Sequence, residues 1–83
     1  MEIVIGWKNE NGERDGYIAV GETIIPIGYE NARKLIYHIC KGVKLELIDE
    51  NPHEQIYATR DNKIELRIFS STLMDAEILS ISL

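Results

Sequence analysis

The amino-acid sequence predicts an α+β domain: a single helix packed on a curled, mainly antiparallel sheet of six to seven strands, in the order βββ-α-βββ(β). Three observations carry that expectation. From Tyr29 to Lys41 the apolar residues Ala32, Leu35, Ile36, Ile39 and Cys40 recur at helical spacing and draw one stripe able to lie on another layer. On both sides of that stretch apolar and polar residues alternate with period two, as in strands with one buried face. Asn11-Gly12 and Gly21-Glu22 are tight-turn signals that tie neighbouring strands into hairpins.

The first strand runs from Glu2 to Lys8, with Ile3, Ile5 and Trp7 to one side and Val4, Gly6 and Lys8 to the other. A type I′ turn at Asn11-Gly12 needs positive φ at both positions. Centred there, it sets Lys8 against Asp15, Ile5 against Ile18 and Ile3 against Val20, so opposite charges pair and apolar residues share a face. Gly21 suits the first position of a type II′ loop, which places Val20 against Thr23, Ile18 against Ile25 and Tyr17 against Pro26. Pro26 has no N–H to donate, so this third strand belongs at a sheet edge. Gly28 serves as the helix N-cap without a side-chain acceptor. Glu30 and Lys41 suit the two ends of the helix dipole, and Gly42 is placed for a left-handed residue after the helix.

Beyond the helix, Val43 to Asp49 reads as a strand with Val43, Leu45 and Leu47 inward, closed by the turn cluster Asp49-Glu50-Asn51-Pro52. Gln55 to Thr59 and Lys63 to Phe69 form a further hairpin. A two-residue Asp61-Asn62 loop would set Tyr57 against Leu66 and Ile56 against Arg67, which mixes the faces. A loop of Arg60, Asp61 and a left-handed Asn62, preferred here, sets Ile56 against Leu66 and Ala58 against Ile64. That register leaves Gln55, Tyr57, Thr59, Lys63, Glu65 and Arg67 on a mixed-charge, solvent-facing side. Ser70 to Asp75 reads as a loop or single helical turn. Ala76 to Leu83 reads as a last strand, with a helix as the alternative.

Eighty-three residues support one domain close to the lower size limit for an unstapled core. The formal charge of −5, from fourteen acidic and nine basic residues, lacks the clustered cations that neutralise phosphates, so direct nucleic-acid binding is not expected. No apolar run approaches the roughly 20 residues of a membrane span, and the first residues carry no leader pattern. One cysteine on the buried helix stripe forms no internal disulfide, which points to a cytoplasmic protein.

Chemistry-bearing motifs are sparse. Asp49, Glu50, His53 and Glu54 gather oxygen and nitrogen donors in one turn, without the ligand spacing of a calcium loop or the paired histidines of a zinc protease. The hairpin tip from Asn9 to Gly16 has a similar composition and the wrong spacing. His38 and Cys40 lie two residues apart and so face different ways on a helix. Hence no metal, no cofactor and no catalytic set is expected, and an enzyme is not expected.

The second side of the first three strands is more informative. Val4, Gly6, Tyr17, Ala19, Ile24 and Pro26 lie there with hardly a charge among them, whereas a solvated sheet face is polar. Either the last strand or a loop covers this face, or a partner does. The first functional expectation is therefore a non-enzymatic, acidic binding protein that docks on and blocks a larger macromolecule, with a protein as partner. Inhibitors, immunity proteins and phage counter-defence proteins have that profile. Its contact residues are expected to be Glu10, Glu13 and Asp15 at the hairpin tip together with Tyr17, Val4 and Ile24. The alternative is a homo-oligomeric domain that binds or sequesters a small ligand, with the same face as the subunit interface.

Overall fold

The computed structural model describes Met1–Leu83. Its elements are β1 (Glu2–Glu10), β2 (Glu13–Val20), β3 (Thr23–Pro26), α1 (Tyr29–Cys40), β4 (Glu46–Asn51), β5 (Glu54–Ala58), β6 (Ile64–Ser70) and β7 (Met74–Ser82). All seven strands join one open antiparallel sheet in the order β3-β2-β1-β7-β6-β5-β4. The last segment is a strand, and it lies between β1 and β6 instead of covering either face.

The first two hairpins have the expected registers, from Lys8 opposite Asp15 to Tyr17 opposite Pro26. Asn11 (φ 52) and Gly12 (φ 84) both take the left-handed conformation that a type I′ turn requires. With β3 at one edge of the sheet and β4 at the other, the chain must cross the whole sheet between them. Six strand spacings of about 4.8 Å make that span roughly 29 Å. The twelve residues of α1 supply about 18 Å, and residues 41–45 supply up to about 17 Å if extended. The helix is thus a diagonal strap, and it rests on β1 and β2.

Ala32 and Ile36 of the helix form one buried cluster with Ile5, Trp7, Leu66 and Leu79 of the sheet. Leu35, Ile39 and Cys40 pack against it from the flanks of the helix stripe. At the strand–helix joint, Gly16 offers its carbonyl to the backbone N–H groups of Ile27 (3.0 Å) and Gly28 (3.2 Å). Trp7 donates its indole N–H to Glu77 Oε1 at 2.8 Å and sets its ring edge-on to Tyr29. A hydrogen bond to a charged acceptor in a half-buried place is among the stronger ones. Trp7→Phe is expected to lower unfolding free energy by about 2 kcal/mol, read from urea titration. A loss below about 0.5 kcal/mol would mean that water replaces the indole at Glu77.

Three local expectations are corrected. Opposite Leu66 stands Tyr57, with Ile56 opposite Arg67 and Ala58 opposite Glu65. The reason is the connection: Thr59 Oγ donates to Asp61 Oδ1 at 2.7 Å, Lys63 N–H donates to the same oxygen, and Thr59 N–H bonds the Ile64 carbonyl. These bonds hold a four-residue loop, 60–63, with Asn62 at φ 59. They also draw the exposed Asp61 carboxyl below its ordinary pKa, through the Thr59 hydroxyl first and the Lys63 amide second. Tyr57 accordingly packs on the core, while Ile56 and Ala58 turn to the open side.

Gly42 does not adopt the left-handed conformation. The helix ends by tightening, with Gly42 N–H bonded to the Ile39 carbonyl and Val43 N–H to that of Cys40. Finally, β4 begins only at Glu46 and shifts register between Leu47 and Asp49, so Val43 and Leu45 belong to the crossing segment. A bulge and charged side chains on an edge strand discourage unwanted pairing there.

Candidate functional site

Every strand alternates, so the helix on one side defines an open side on the other. The cross-strand pairs Val4–Ala19, Gly6–Tyr17, Lys8–Asp15 and Glu10–Glu13 all face it, and Ala19–Ile24 continues the row to β3. The structure therefore brings all six expected contact residues, Val4, Glu10, Glu13, Asp15, Tyr17 and Ile24, onto one face. Ile24 is 69% exposed. No element of the chain packs on this face.

Tyr17 is placed by its partner. Gly6 stands opposite it, and a Cβ on Gly6 would lie 2.6–2.7 Å from the far end of the Tyr17 ring. The ring thus lies over the bare backbone of β1, an aromatic covering a strand glycine across the pair. Next to it the sheet opens a cavity of about 360 Å³ whose apolar walls are Trp7, Tyr17, Phe69, Met74, Ala76 and Ile78, with exposed Lys8 and Asp15 also lining it. Phe69 and the three β7 residues were not among the expected contacts. The outward direction of Ala76 and Ile78 can be read from the alternation of Leu79 and Ile81, and that of Phe69 from Glu65 and Arg67 on its own strand. Their position beside Gly6 and Lys8 depends on β7 pairing with β1, which no local signal announces.

Charge is distributed unevenly along the strands. The register row through Tyr17, Gly6, Ile78, Arg67, Ile56 and Asp49 divides the sheet across its strands. On that row and toward the Asn11-Gly12 turn, the strands carry Glu10, Glu13, Asp15, Asp49, Glu50, Glu54, Asp75 and Glu77 against Lys8, Arg14 and Arg67. Those are eight acidic and three basic residues out of fourteen and nine, so the rest of the chain has six of each. The whole formal charge of −5 resides in that half, and the cavity lies within it.

The other motifs are absorbed by local structure. Asp49 Oδ1 accepts from Glu50 N–H, Asn51 Oδ1 from His53 N–H, and Glu50 Oε2 from the Gln55 amide at 2.8 Å. No three His, Cys, Asp or Glu side chains converge as metal ligands. The hairpin tip is tied down by Asn11 N–H donating to the Leu73 carbonyl at 3.0 Å. His38 stacks edge-on to the exposed Tyr37. Cys40 is half-buried, and desolvation, with a lesser contribution from the Glu77 charge, pushes its thiol above the ordinary pKa. That is opposite to the shift that activates a nucleophilic cysteine. On the open side Arg67 Nε meets Glu65 Oε1 at 2.9 Å, and both groups are well exposed, so the pair contributes little to stability.

No helix is long and apolar enough to cross a membrane. No family model matches the chain, and neither a curated protein nor a solved structure does.

Proposed function

We propose that this chain is a non-enzymatic binding protein that docks its open sheet face on a larger protein and blocks it. The observation that carries the reading is the uncovered apolar row from Ile24 through Ala19 and Val4, with the Tyr17 cavity beside it. An apolar surface of this kind on a small domain marks an interaction site. Aromatic side chains near the centre of such a surface are the usual anchors of protein contacts. The single unpaired thiol and the absence of any stapling disulfide favour action inside the cell.

The test compares affinity capture by the wild-type chain and by a Tyr17→Ala/Ile24→Ser variant whose circular dichroism matches it. A protein retained by the wild type and lost by the variant supports the reading. Equal retention by both removes this face as the docking surface.

A second reading is favoured by the cavity volume, which reaches the roughly 300–1,000 Å³ of small-ligand sites. In that case the chain is a homo-oligomer that sequesters a small apolar molecule. Native mass spectrometry separates the two: a monomer without adduct supports docking, whereas an oligomer with an added mass lost on activation supports the alternative.

A further inference from the structure

We propose that the cavity beside Tyr17 receives an apolar side chain presented by a basic protein surface; this deepens the docking reading and rests on it. The cavity supplies the apolar half of the contact. Trp7, Tyr17, Phe69, Met74, Ala76 and Ile78 wall about 360 Å³, room for one large side chain. Their surroundings supply the other half. On the same side of the sheet, and within the same half, stand Glu10, Glu13, Asp15, Asp49 and Glu54 against Lys8 and Arg67.

Complementary charge around a desolvated anchor steers encounter and sets register. A partner with lysines and arginines flanking its anchor meets an excess of carboxylates on the hairpin-tip half of this face, where five acidic residues stand against two basic ones. A second copy of this chain brings the same acidic excess to the contact, so like charges oppose its docking. An uncharged small molecule fills the cavity and leaves the surrounding carboxylates without a role.

Fluorescence anisotropy with three labelled nine-residue peptides tests this. One carries tryptophan between two runs of four lysines, the second replaces that tryptophan with alanine, and the third flanks the tryptophan with glutamates. The lysine–tryptophan peptide is expected to bind at least about tenfold tighter than either control. Its affinity should fall about tenfold between roughly 20 and 200 mM salt. Ala76→Arg, which fills the cavity and adds positive charge, is expected to abolish the preference. Because Ala76 is buried, a second variant guards against misfolding: Glu10→Gln/Glu13→Gln, at the exposed hairpin tip, should weaken the lysine–tryptophan peptide several-fold without lowering the thermal midpoint, since the two carboxylates stand directly opposite each other.

Equal binding of the tryptophan and alanine peptides, or of the lysine- and glutamate-flanked ones, overturns the proposal. So does sedimentation showing a dimer that Ala76→Arg dissociates, which would assign the face to a second copy. If the capture experiment retains a protein while the peptides show no charge preference, docking stands and the basic partner falls.

Discussion

Leu79→Ala is expected to lower the unfolding free energy by about 4 kcal/mol, the largest loss of any single truncation in this chain. Leu79 is fully buried, at 0% exposure. It sits in the middle strand of the sheet, opposite Ile5 on one side and Leu66 on the other, beneath the helix. Deleting three carbons there removes transfer energy and leaves a cavity that backbone hydrogen bonds on both flanks keep from collapsing. A domain of this size has a total stability of only about 4–12 kcal/mol. The variant should therefore unfold at far lower urea concentration, or not fold at all at room temperature. Urea titrations of wild type and variant with unchanged slope read the difference. A loss below about 1.5 kcal/mol would mean that the helix settles into the space, and that the cluster is looser than its burial indicates.

Gly16→Ala comes next, with an expected loss of about 3 kcal/mol. A methyl group is among the smallest changes possible, yet a Cβ here would lie 2.2 Å from the Gly28 carbonyl oxygen and 2.8 Å from Ala32 Cβ. Backbone cannot swing aside as a flexible side chain can. The Gly28 carbonyl is also fixed, because it accepts the Ala32 N–H at 3.1 Å in the first turn of the helix. The substitution must lift the helix start from β2, breaking the two bonds that Ile27 and Gly28 make to Gly16. Gly6→Ala is the informative contrast. There the added methyl meets the far end of the Tyr17 ring, which can rotate away, so stability should change by less than about 1 kcal/mol. Comparable losses from both substitutions would contradict this account of the joint.

The parts of the fold legible in the sequence are those whose causes are local. Asn11-Gly12 and Gly21 fixed two registers because each turn type admits few residues, and alternation on both flanks agreed with them. The helix was visible because Ala32 and Ile36 repeat at its own period, and both are buried. Between β5 and β6, alternation favoured the wrong register, since it kept Ile56 with Leu66, whereas the side-chain bonds of Thr59 and Asp61 hold the one in which Tyr57 meets Leu66. Once shifted by that loop, Tyr57 and Ile56 exchanged faces, as a one-residue slip demands. Half of the candidate site was legible for the same reason: Val4, Tyr17 and Ile24 share a face within one local meander. The β6 and β7 walls of the cavity were not, since they arrive through pairing across most of the chain.

That pairing also determines when the protein can exist. β1 and β7 meet in the centre of the sheet, and contacts such as Trp7 to Glu77 join residues 70 apart in sequence. The first meander with its helix and the second hairpin set can each form early from near neighbours, but neither has a complete core alone. During synthesis, both the outer edge of β1 and that of β6 stay unpaired until the residues of β7 have left the ribosome. Until then each presents free N–H and C=O groups to any passing strand. The chain is thus most vulnerable to aggregation until β7 pairs, and a chain truncated before Met74 would remain in that state.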